Sequence, residues 1–356
     1  MKKILIFFVC FAGVPLFSLV NCHIETAAGP TPYSVHKNTS TINPFVDSLQ
    51  KATSLPDSLR KAASLLDSLQ KAYVAMKFGM FLHFNMSTFD RYDYYSVQGE
   101  WGLANSGDRV KKFRPSALNC GQWADAAKSA GCTYIVLTSK HHDGFCLWPS
   151  RYTDYCVSNA KVTRDVIKEF TDSTRLRGLK VGLYYSIRDL TNGYSLDFIK
   201  GQLSELLTNY GEITCLWFDG WGWGPGYNKV PYDSIKNIIK RLQPKCLIVE
   251  NNHKFAMSNT EIVEYEMPID GAPPNNNVLP AEGGQVIRSS KDHCWFWHPI
   301  DECTIMSARN ILDELNTNIS RNASYLLDLT PDTTGVIPQC QVDRMKEVGQ
   351  LRGVTH

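Results

Sequence analysis

The sequence predicts an α/β fold in which eight parallel strands, each followed by a helix, close into a (β/α)8 barrel. From residue 77 onward, short apolar runs alternate with segments whose apolar residues recur every three to four positions. This alternation is typical of buried parallel strands covered by amphipathic helices. Polar residues stand at the C-terminal ends of the apolar runs, and a barrel brings such residues together on one face. A chain of 356 residues can form such a barrel as a single domain.

A doubly wound open sheet is the main alternative to the barrel. An open sheet usually gathers its functional residues around one switch point rather than at every strand end. The sequence also contains neither a G-x-G-x-x-G loop nor a Walker-type phosphate loop, which are the nucleotide-binding signatures of many open sheets. The barrel is therefore the preferred prediction.

Seven strands have a clear apolar pattern, and an eighth is expected near residues 285–289. The seven span residues 78–84, 133–138, 180–186, 214–219, 246–250, 261–266 and 325–329. Helical periodicity between them is clearest in residues 123–130, 199–210, 235–242 and 308–315. Gly131, Gly211 and Pro244 end the first three of these helices, as glycine and proline commonly do at helix C-termini.

Residues 1–22 have the pattern of an export signal. Lys2 and Lys3 precede an apolar run, 4–20, that is somewhat short for a membrane span; an uncleaved anchor is the alternative. Cys22 follows this run at a position that resembles a bacterial lipoprotein cleavage site. We therefore expect a secreted or extracytoplasmic protein, attached to a membrane only if Cys22 carries a lipid anchor.

Residues 23–72 are predicted to form a polar tether and a short helical repeat. A ten-residue repeat begins at Asp47, Asp57 and Asp67, and its Leu and Ala residues recur at helical spacing. The last copy is predicted to be a helix that leads into the first strand, and the earlier copies a stalk without chemistry. The barrel is expected to occupy residues 73–356, with no C-terminal β-sandwich domain.

Charge and cysteine content narrow the class of ligand. A net charge of +2 gives no field that would attract nucleic acid. The 11 cysteines include no C-x2-C pair, so a structural zinc site is not expected, and the prediction includes no metal and no cofactor. Most cysteines are expected to be small buried residues, although an exported protein can contain a disulfide or two.

Asp219 is the sharpest local feature of the sequence. It directly ends an apolar run and is followed by Gly220, Trp221 and Trp223. Burying an Asp in such a place costs free energy unless its charge is paired with another group or the residue takes part in function. It could instead cap the next turn, but the aromatic residues favour a reactive carboxylate in a sugar-binding cleft.

Histidines stand at the ends of the first two predicted strands. His83 ends the first, and the adjacent pair His141 and His142 ends the second. Neighbouring side chains on a strand point to opposite faces, so the pair cannot simply converge on one metal ion. Where the chain turns, both imidazoles can reach a ligand's hydroxyl groups. We favour hydroxyl recognition over a metal site or purely structural histidines. Glu100 and Trp101, in the loop after the first strand, add a carboxylate beside an aromatic ring.

These strand ends resemble the α-L-fucosidases of glycoside hydrolase family 29. Residues 78–84 (FGMFLHF) are similar to the first-strand signature, residues 137–150 (LTSKHHDGFCLWPS) to the second-strand motif and residues 217–220 (WFDG) to the nucleophile strand. The likeness covers roughly residues 77–352. It implies an exo-acting hydrolase that removes terminal fucose from oligosaccharides or glycoproteins with retention of configuration.

The resemblance also implies roles for individual residues. Asp219 would be the nucleophile, and Glu100 and Trp101 would contact a neighbouring sugar. Segments 280–282, 287–288 and 295–298 resemble the branch selective for α-1,3/1,4-linked fucose, in which Glu282 would be the acid/base. The side chains expected to bind substrate are His83, Glu100, Trp101, His141, His142, Tyr184, Trp217 and Trp297.

A retaining mechanism requires a second carboxyl group about 5 to 5.5 Å from the first. Without the resemblance, the residues do not choose among Glu250, Glu261, Glu264, Glu266 and Glu282. Glu264 and Glu266 share one face of a predicted strand. Glu282 is expected in a loop beside two glycines, where a partly desolvated carboxyl can stay protonated. Glu264 lies in a segment that resembles the acid/base segment of a branch with broader specificity, so it is the alternative to Glu282.

Two other functions are compatible with these residues. A catalytically silent fucose-binding surface protein would keep the same histidines and release no sugar. A metal-dependent barrel hydrolase would use His141 and His142 as ligands.

The sequence also departs from the family pattern after the fifth strand, where residues 251–254 (NNHK) stand in place of an arginine that is common in the family.

Overall fold

The computed structural model describes residues 57–90, 104–251, 260–289 and 295–355. The predicted export signal with Cys22, most of the predicted tether, and the pair Glu100 and Trp101 lie outside these ranges. Among the described residues, no helix is both long enough and apolar enough to cross a membrane.

Eight parallel strands form a closed barrel in chain order, and the last strand pairs with the first. The (β/α)8 fold predicted from the sequence is therefore confirmed. The strands are β1 (Phe78–Leu82), β2 (Tyr134–Lys140), β3 (Lys180–Ser186), β4 (Cys215–Asp219), β5 (Leu247–Glu250), β6 (Ile262–Glu266), β7 (Ala281–Val286) and β8 (Ala323–Leu329).

Helices precede the barrel and connect its strands. Side chains of Asn119, Asp165, Ser195 and Ser307 accept backbone N–H groups at the N-termini of four of them, which fixes where these helices begin. The described helices are α1 (Asp57–Ala75), α2 (Met86–Phe89), α3 (Cys120–Ser129), α4 (Val166–Leu176), α5 (Leu196–Asn209), α6 (Gly226–Lys229), α7 (Tyr232–Leu242), α8 (Met267–Asp270), α9 (Ala308–Ser320) and α10 (Gln339–Leu351).

Strand β7 is displaced from its predicted position. It spans Ala281–Val286, so the strand predicted near residues 285–289 is present but begins four residues earlier. Two glycines inside it hide the apolar pattern, and close packing explains both. A Cβ atom on Gly283 would lie 2.2 Å from Oδ1 of Asn318. A Cβ atom on Gly284 would lie 2.5 Å from Oε1 of Glu264 on the neighbouring strand, so a larger residue would not fit there.

The apolar core has an inner part, inside the barrel, and an outer part, between barrel and helices. On β4, Leu216 and Phe218 belong to the outer part, whereas Cys215 and Trp217 belong to the inner part. Because side chains of a strand alternate between faces, Asp219 continues the inward-facing row.

Helix α1 lies at the N-terminal end of the barrel and contains the second and third repeat copies. Tyr73 and Met76 join the inner core, and Nε2 of Gln70 donates to the backbone oxygen of Glu261 at 2.6 Å. The helix predicted for the third copy is confirmed. The second copy, predicted to be part of a stalk, belongs to the same helix.

A disulfide between Cys303 and Cys340 ties the loop before α9 to α10 across 37 residues. We expect the double variant Cys303→Ser, Cys340→Ser to lose about 2–4 kcal/mol of unfolding free energy, because the bond restricts the unfolded chain. Denaturant titration of both proteins measures the difference. In a reducing buffer the difference should vanish, and a difference that persists would assign the loss to the side chains instead. The other cysteines that the structure describes are free and buried, as predicted for most of them.

Candidate active site

The predicted histidines and Asp219 meet at the C-terminal end of the barrel. His83 follows β1, His141 and His142 follow β2, and Asp219 ends β4. The ring centroids of His83 and His141 are 5.8 Å apart, and those of His141 and His142 are 4.2 Å apart. This is the face on which barrels of this type place their reactive groups.

Asp219 is oriented by its neighbours and remains partly open. The Tyr184 hydroxyl donates to Oδ2 at 2.9 Å, and the backbone N–H of Gly220 donates to Oδ1 at 2.6 Å. Nε2 of His142 lies 3.6 Å from Oδ2, and the Asp219 side chain is 14% exposed. The carboxylate therefore has a fixed direction and a path by which a ligand can reach it.

Gly220 allows the chain to turn directly after this carboxylate. Its φ is 63°, a left-handed conformation that glycine adopts without steric cost. A Cβ atom at this position would lie 2.7 Å from Cβ of Arg188. The Asp-Gly pair in the sequence is thus explained by the backbone that presents Asp219.

The three histidines are neutral near pH 7. Burial lowers the pKa of His83 to about 3 and lowers the pKa of His141 and His142 well below the ordinary value. Nδ1 of His83 lies 2.8 Å from Oδ1 of Asp328, a residue of β8 that the sequence analysis missed. A neutral imidazole offers one donor and one acceptor, which suits a ligand rich in hydroxyl groups.

His141 and His142 reach the same face because the strand is irregular before them. The pairing of β2 with β3 shifts register between Thr138 and Lys140. Nδ1 of His142 is 2.6 Å from the Ser186 hydroxyl oxygen, so the two adjacent imidazoles engage different groups. Within the described ranges, no group of three or more His, Cys, Asp or Glu side chains is arranged to hold a metal ion.

Two predicted aromatic residues form a stack beside Asp219. The rings of Tyr184 and Trp217 are stacked with centroids 5.3 Å apart, and Tyr184 stacks in the same way on His141 at 5.5 Å. The ring of Tyr184, whose hydroxyl donates to Asp219, is therefore held by contacts with both Trp217 and His141.

Trp295 and Phe296 form an aromatic wall against the histidines. The centroid of Trp295 lies 5.0 Å and that of Phe296 5.3 Å from the ring of His83. The indole N–H of Trp297, the residue predicted from this segment, donates to Glu302 at 2.7 Å. The sequence identified the segment but could not tell which of its rings contact the histidines.

Glu282 does not lie in a loop on this face, so that part of the prediction is wrong. It is the second residue of β7 and is fully buried. It accepts hydrogen bonds from Tyr73, which precedes β1, from Tyr134, the first residue of β2, and from Ser324, the second residue of β8. These donors belong to the N-terminal half of the barrel, whereas Asp219 ends its strand.

Two other candidate carboxylates also point away from the site. Glu261 precedes β6 at the N-terminal end of the barrel and pairs with Lys240 at 2.8 Å. Glu250 continues the outward-facing row of Ile248 on β5 and accepts a hydrogen bond from Tyr227. Neither faces the histidine cluster.

Glu266 is the candidate carboxylate at the correct end of the barrel. It is the last residue of β6, is 9% exposed, and accepts a hydrogen bond from the Trp295 indole at 3.1 Å. Asn251 donates to its other oxygen at 2.9 Å. Glu264 points into the barrel one layer deeper and is fully buried.

The burial of Glu250 leads to a pH-dependent prediction. Burial raises the pKa of Glu250 from 4.5 to about 7. Because the folded state then binds the proton more tightly than the unfolded chain, folding becomes less favourable as the pH rises from about 4.5 to about 7. Glu250→Gln mimics the protonated form and should raise the thermal midpoint at pH 8 while leaving it unchanged at pH 4.5. Equal midpoints at pH 8 would contradict this expectation.

Fold and site together define the class: a (β/α)8 barrel whose C-terminal face joins a carboxylate, neutral imidazoles and aromatic rings. Residues 48–354 match the profile of the alpha-L-fucosidase family. The chain belongs to this family.

Comparison with individual proteins agrees with this assignment. The chain is 32% identical over 305 residues to alpha-L-fucosidase 1 of Arabidopsis thaliana, covering 77% of this chain and 57% of the relative. It is 38% identical over 253 residues to human plasma alpha-L-fucosidase, covering 67% of this chain and 54% of the relative. The chain thus spans little more than half the length of these curated relatives. A solved structure, alpha-L-fucosidase isoenzyme 1 from Paenibacillus thiaminolyticus, superposes with a TM-score of 0.70 at 28% identity and covers 81% of this chain and 76% of that one.

Proposed function

We propose that this protein is a retaining α-L-fucosidase that removes terminal fucose from fucosylated oligosaccharides or glycoproteins. The observation that carries the proposal is the position of Asp219, partly open and 3.6 Å from His142, beside two further neutral imidazoles. Membership of the alpha-L-fucosidase family supports the same substrate class.

The proposed reaction has two displacements. In the first, Asp219 attacks the anomeric carbon from the face opposite the glycosidic oxygen; the bond from that carbon to the leaving oxygen breaks as an acid protonates the oxygen. In the second, the conjugate base removes a proton from water, whose oxygen attacks the same carbon and releases Asp219 as a carboxylate. Two inversions at one carbon give net retention.

The imidazoles of His83, His141 and His142 are proposed to recognise the hydroxyl groups of fucose. Their neutral state gives each ring a donor and an acceptor, and burial maintains that state well below pH 7. The stacked rings of Tyr184 and Trp217 would complete the floor under the sugar.

We assign the acid/base role to Glu266 instead of the sequence-predicted Glu282. Glu266 ends its strand on the same face as Asp219 and is bonded to Trp295, whose ring lies 5.0 Å from His83. Among the candidate carboxylates that the structure describes, it alone ends its strand on the histidine face, and at 9% exposed it is the least buried of them. Glu264 is deeper and fully buried.

Cleavage of α-1,3/1,4-linked fucose and export from the cytoplasm belong to the proposal. The linkage rests on the resemblance of segments 287–288 and 295–298 to that branch. Both segments belong to the connection between β7 and α9, in which Nη1 of Arg288 lies 3.0 Å from Oδ1 of Asp301.

Export is supported by the Cys303–Cys340 disulfide, since such bonds persist in oxidising compartments. Lipidation of Cys22 would be seen as a mass increase of the mature N-terminal peptide.

Hydrolysis followed by NMR tests the proposal. The protein is incubated with an aryl α-L-fucoside and with oligosaccharides carrying α-1,2-, α-1,3-, α-1,4- or α-1,6-linked fucose. We expect the α-anomer of fucose to be released first, and fastest from the 1,3- and 1,4-linked substrates. Initial release of the β-anomer would refute retention. Binding of fucose without any release would indicate a catalytically silent fucose-binding protein.

A further inference from the structure

Glu282 occupies a buried polar site inside the barrel, below the candidate active site. Its Oε2 accepts hydrogen bonds from the Tyr73 hydroxyl at 2.7 Å, from the Ser324 hydroxyl at 3.2 Å and from the Tyr134 hydroxyl. Its Oε1 accepts the indole N–H of Trp217 at 3.0 Å. Four donors surround one fully buried carboxyl group, which is the environment that an ionised carboxylate requires.

The neighbouring Glu264 completes this arrangement. Glu264 and Glu282 are register partners on β6 and β7. Burial, with repulsion from Glu282 in second place, raises the pKa of Glu264 well above its ordinary value, and neither of its carboxyl oxygens accepts a side-chain hydrogen bond from the described residues. Burial raises the pKa of Glu282 as well, but its four hydrogen-bond donors act in the opposite direction. The donors therefore favour the charged form on Glu282 rather than on Glu264.

A continuous set of contacts leads from Glu282 to Asp219. The Trp217 indole, held by Glu282, stacks on Tyr184 with ring centroids 5.3 Å apart and planes 22° apart. The Tyr184 hydroxyl donates to Oδ2 of Asp219 at 2.9 Å. Each link is a direct contact between buried or nearly buried side chains.

We propose that Glu282 is a positioning residue that acts on the nucleophile through Trp217 and Tyr184. An indole has a single donor, and Glu282 supplies its acceptor at a depth that water does not reach. Without that acceptor the ring can turn in search of another partner, and the stacked Tyr184 loses its support. This inference rests on the proposed function, because its effect is measured on fucoside hydrolysis.

The inference also gives a role to the repeat that precedes the barrel. Tyr73 directly follows Ala72, the last residue of the repeated motif in its third copy, and its hydroxyl is one of the four donors to Glu282. Helix α1 thereby contacts the same polar site that holds Trp217.

A double-mutant cycle tests the proposal. Glu282→Leu removes the acceptor, and Trp217→Phe keeps an aromatic ring but removes the indole N–H. We expect Glu282→Leu to lower kcat/KM on the order of 10²-fold, the cost of a small misplacement of a reacting group. In the Trp217→Phe background the same change should lower it less than about threefold, because interacting residues are not additive. An equal loss in both backgrounds, or no loss in either, would overturn the proposal.

Glu282→Gln separates positioning from acid/base catalysis and carries the test if Glu282→Leu does not fold. The amide oxygen can still accept from Trp217, so we expect activity within about tenfold of wild type, on an activated aryl fucoside and on an oligosaccharide alike, with no effect of azide. A loss confined to the oligosaccharide, with azide-accelerated turnover of the aryl fucoside, would make Glu282 the acid/base and overturn the proposal. If the wild-type protein itself releases no fucose, the proposed function fails. The Glu282→Leu and Trp217→Phe cycle is then measured as fucose affinity by calorimetry, and an equal loss of affinity in both backgrounds would again overturn the proposal.

Discussion

Replacing Asp219 with alanine is expected to lower kcat for fucoside hydrolysis by on the order of 10⁴-fold or more, as removal of a covalent nucleophile does elsewhere. The fold should persist, because Asp219 is at the end of β4 with a side chain that is 14% exposed. Steady-state rates on an aryl fucoside and thermal unfolding measure both effects.

Asp172→Ala is the matched control for this variant. Asp172 lies on α4 with a side chain that is 61% exposed, so its removal should change neither activity nor folding measurably.

Fucose affinity should survive in Asp219→Ala because the histidines remain in place. Activity of Asp219→Ala within tenfold of wild type would remove Asp219 from the mechanism.

Glu266→Ala is expected to lower kcat/KM by about 10²- to 10⁴-fold on substrates whose leaving group needs a proton. An aryl fucoside with a good leaving group should still form the fucosyl-enzyme, and azide should then accelerate turnover because this small anion needs no general base. The measurements are rates on both substrate types, with and without azide, and identification of the fucosyl azide formed.

Glu282→Ala and Glu264→Ala are the comparison variants. Both residues are fully buried, and neither should show azide-accelerated turnover. Rescue of Glu282→Ala by azide, with none for Glu266→Ala, would restore the assignment made from sequence. Rescue of Glu264→Ala alone would support the alternative that the sequence also left open.

Much of the barrel could be predicted because its signals are local. Apolar runs and helical periodicity predicted seven of the strands, and the carboxylate at the end of the run 214–219 also ends β4, as expected. The histidine motifs at the ends of β1 and β2 also placed three side chains on one face. Parallel strands all present their C-terminal ends on one side of a barrel, so sequence position alone was sufficient there.

The loop predicted at Glu282 is wrong for a physical reason that the sequence does not display. Gly283 and Gly284 suggest a loop, but they stand in a strand where neighbouring side chains leave no room for a Cβ atom. The depth of Glu282 in the barrel depends on the register with β6 and β8. Such contacts across strands do not follow from local pattern.

Other parts of the site are non-local in the same sense. Asp328 reaches His83 only because β8 closes on β1, across 245 residues of chain. The sequence shows an Asp within the apolar run 325–329 but does not indicate which residue it contacts. Similarly, Trp295 meets His83 through the loop after β7, whose tie to α10 by the Cys303–Cys340 disulfide was not predictable from cysteine spacing.

Covalent trapping tests the role of Asp219 most directly. The wild-type protein is incubated with 2-fluoro-fucosyl fluoride, digested, and the labelled peptide is sequenced by mass spectrometry. We predict one 2-fluorofucosyl group on the peptide that contains Asp219, attached to that carboxylate. A label on any other residue, or an active enzyme that acquires no label, would contradict the account.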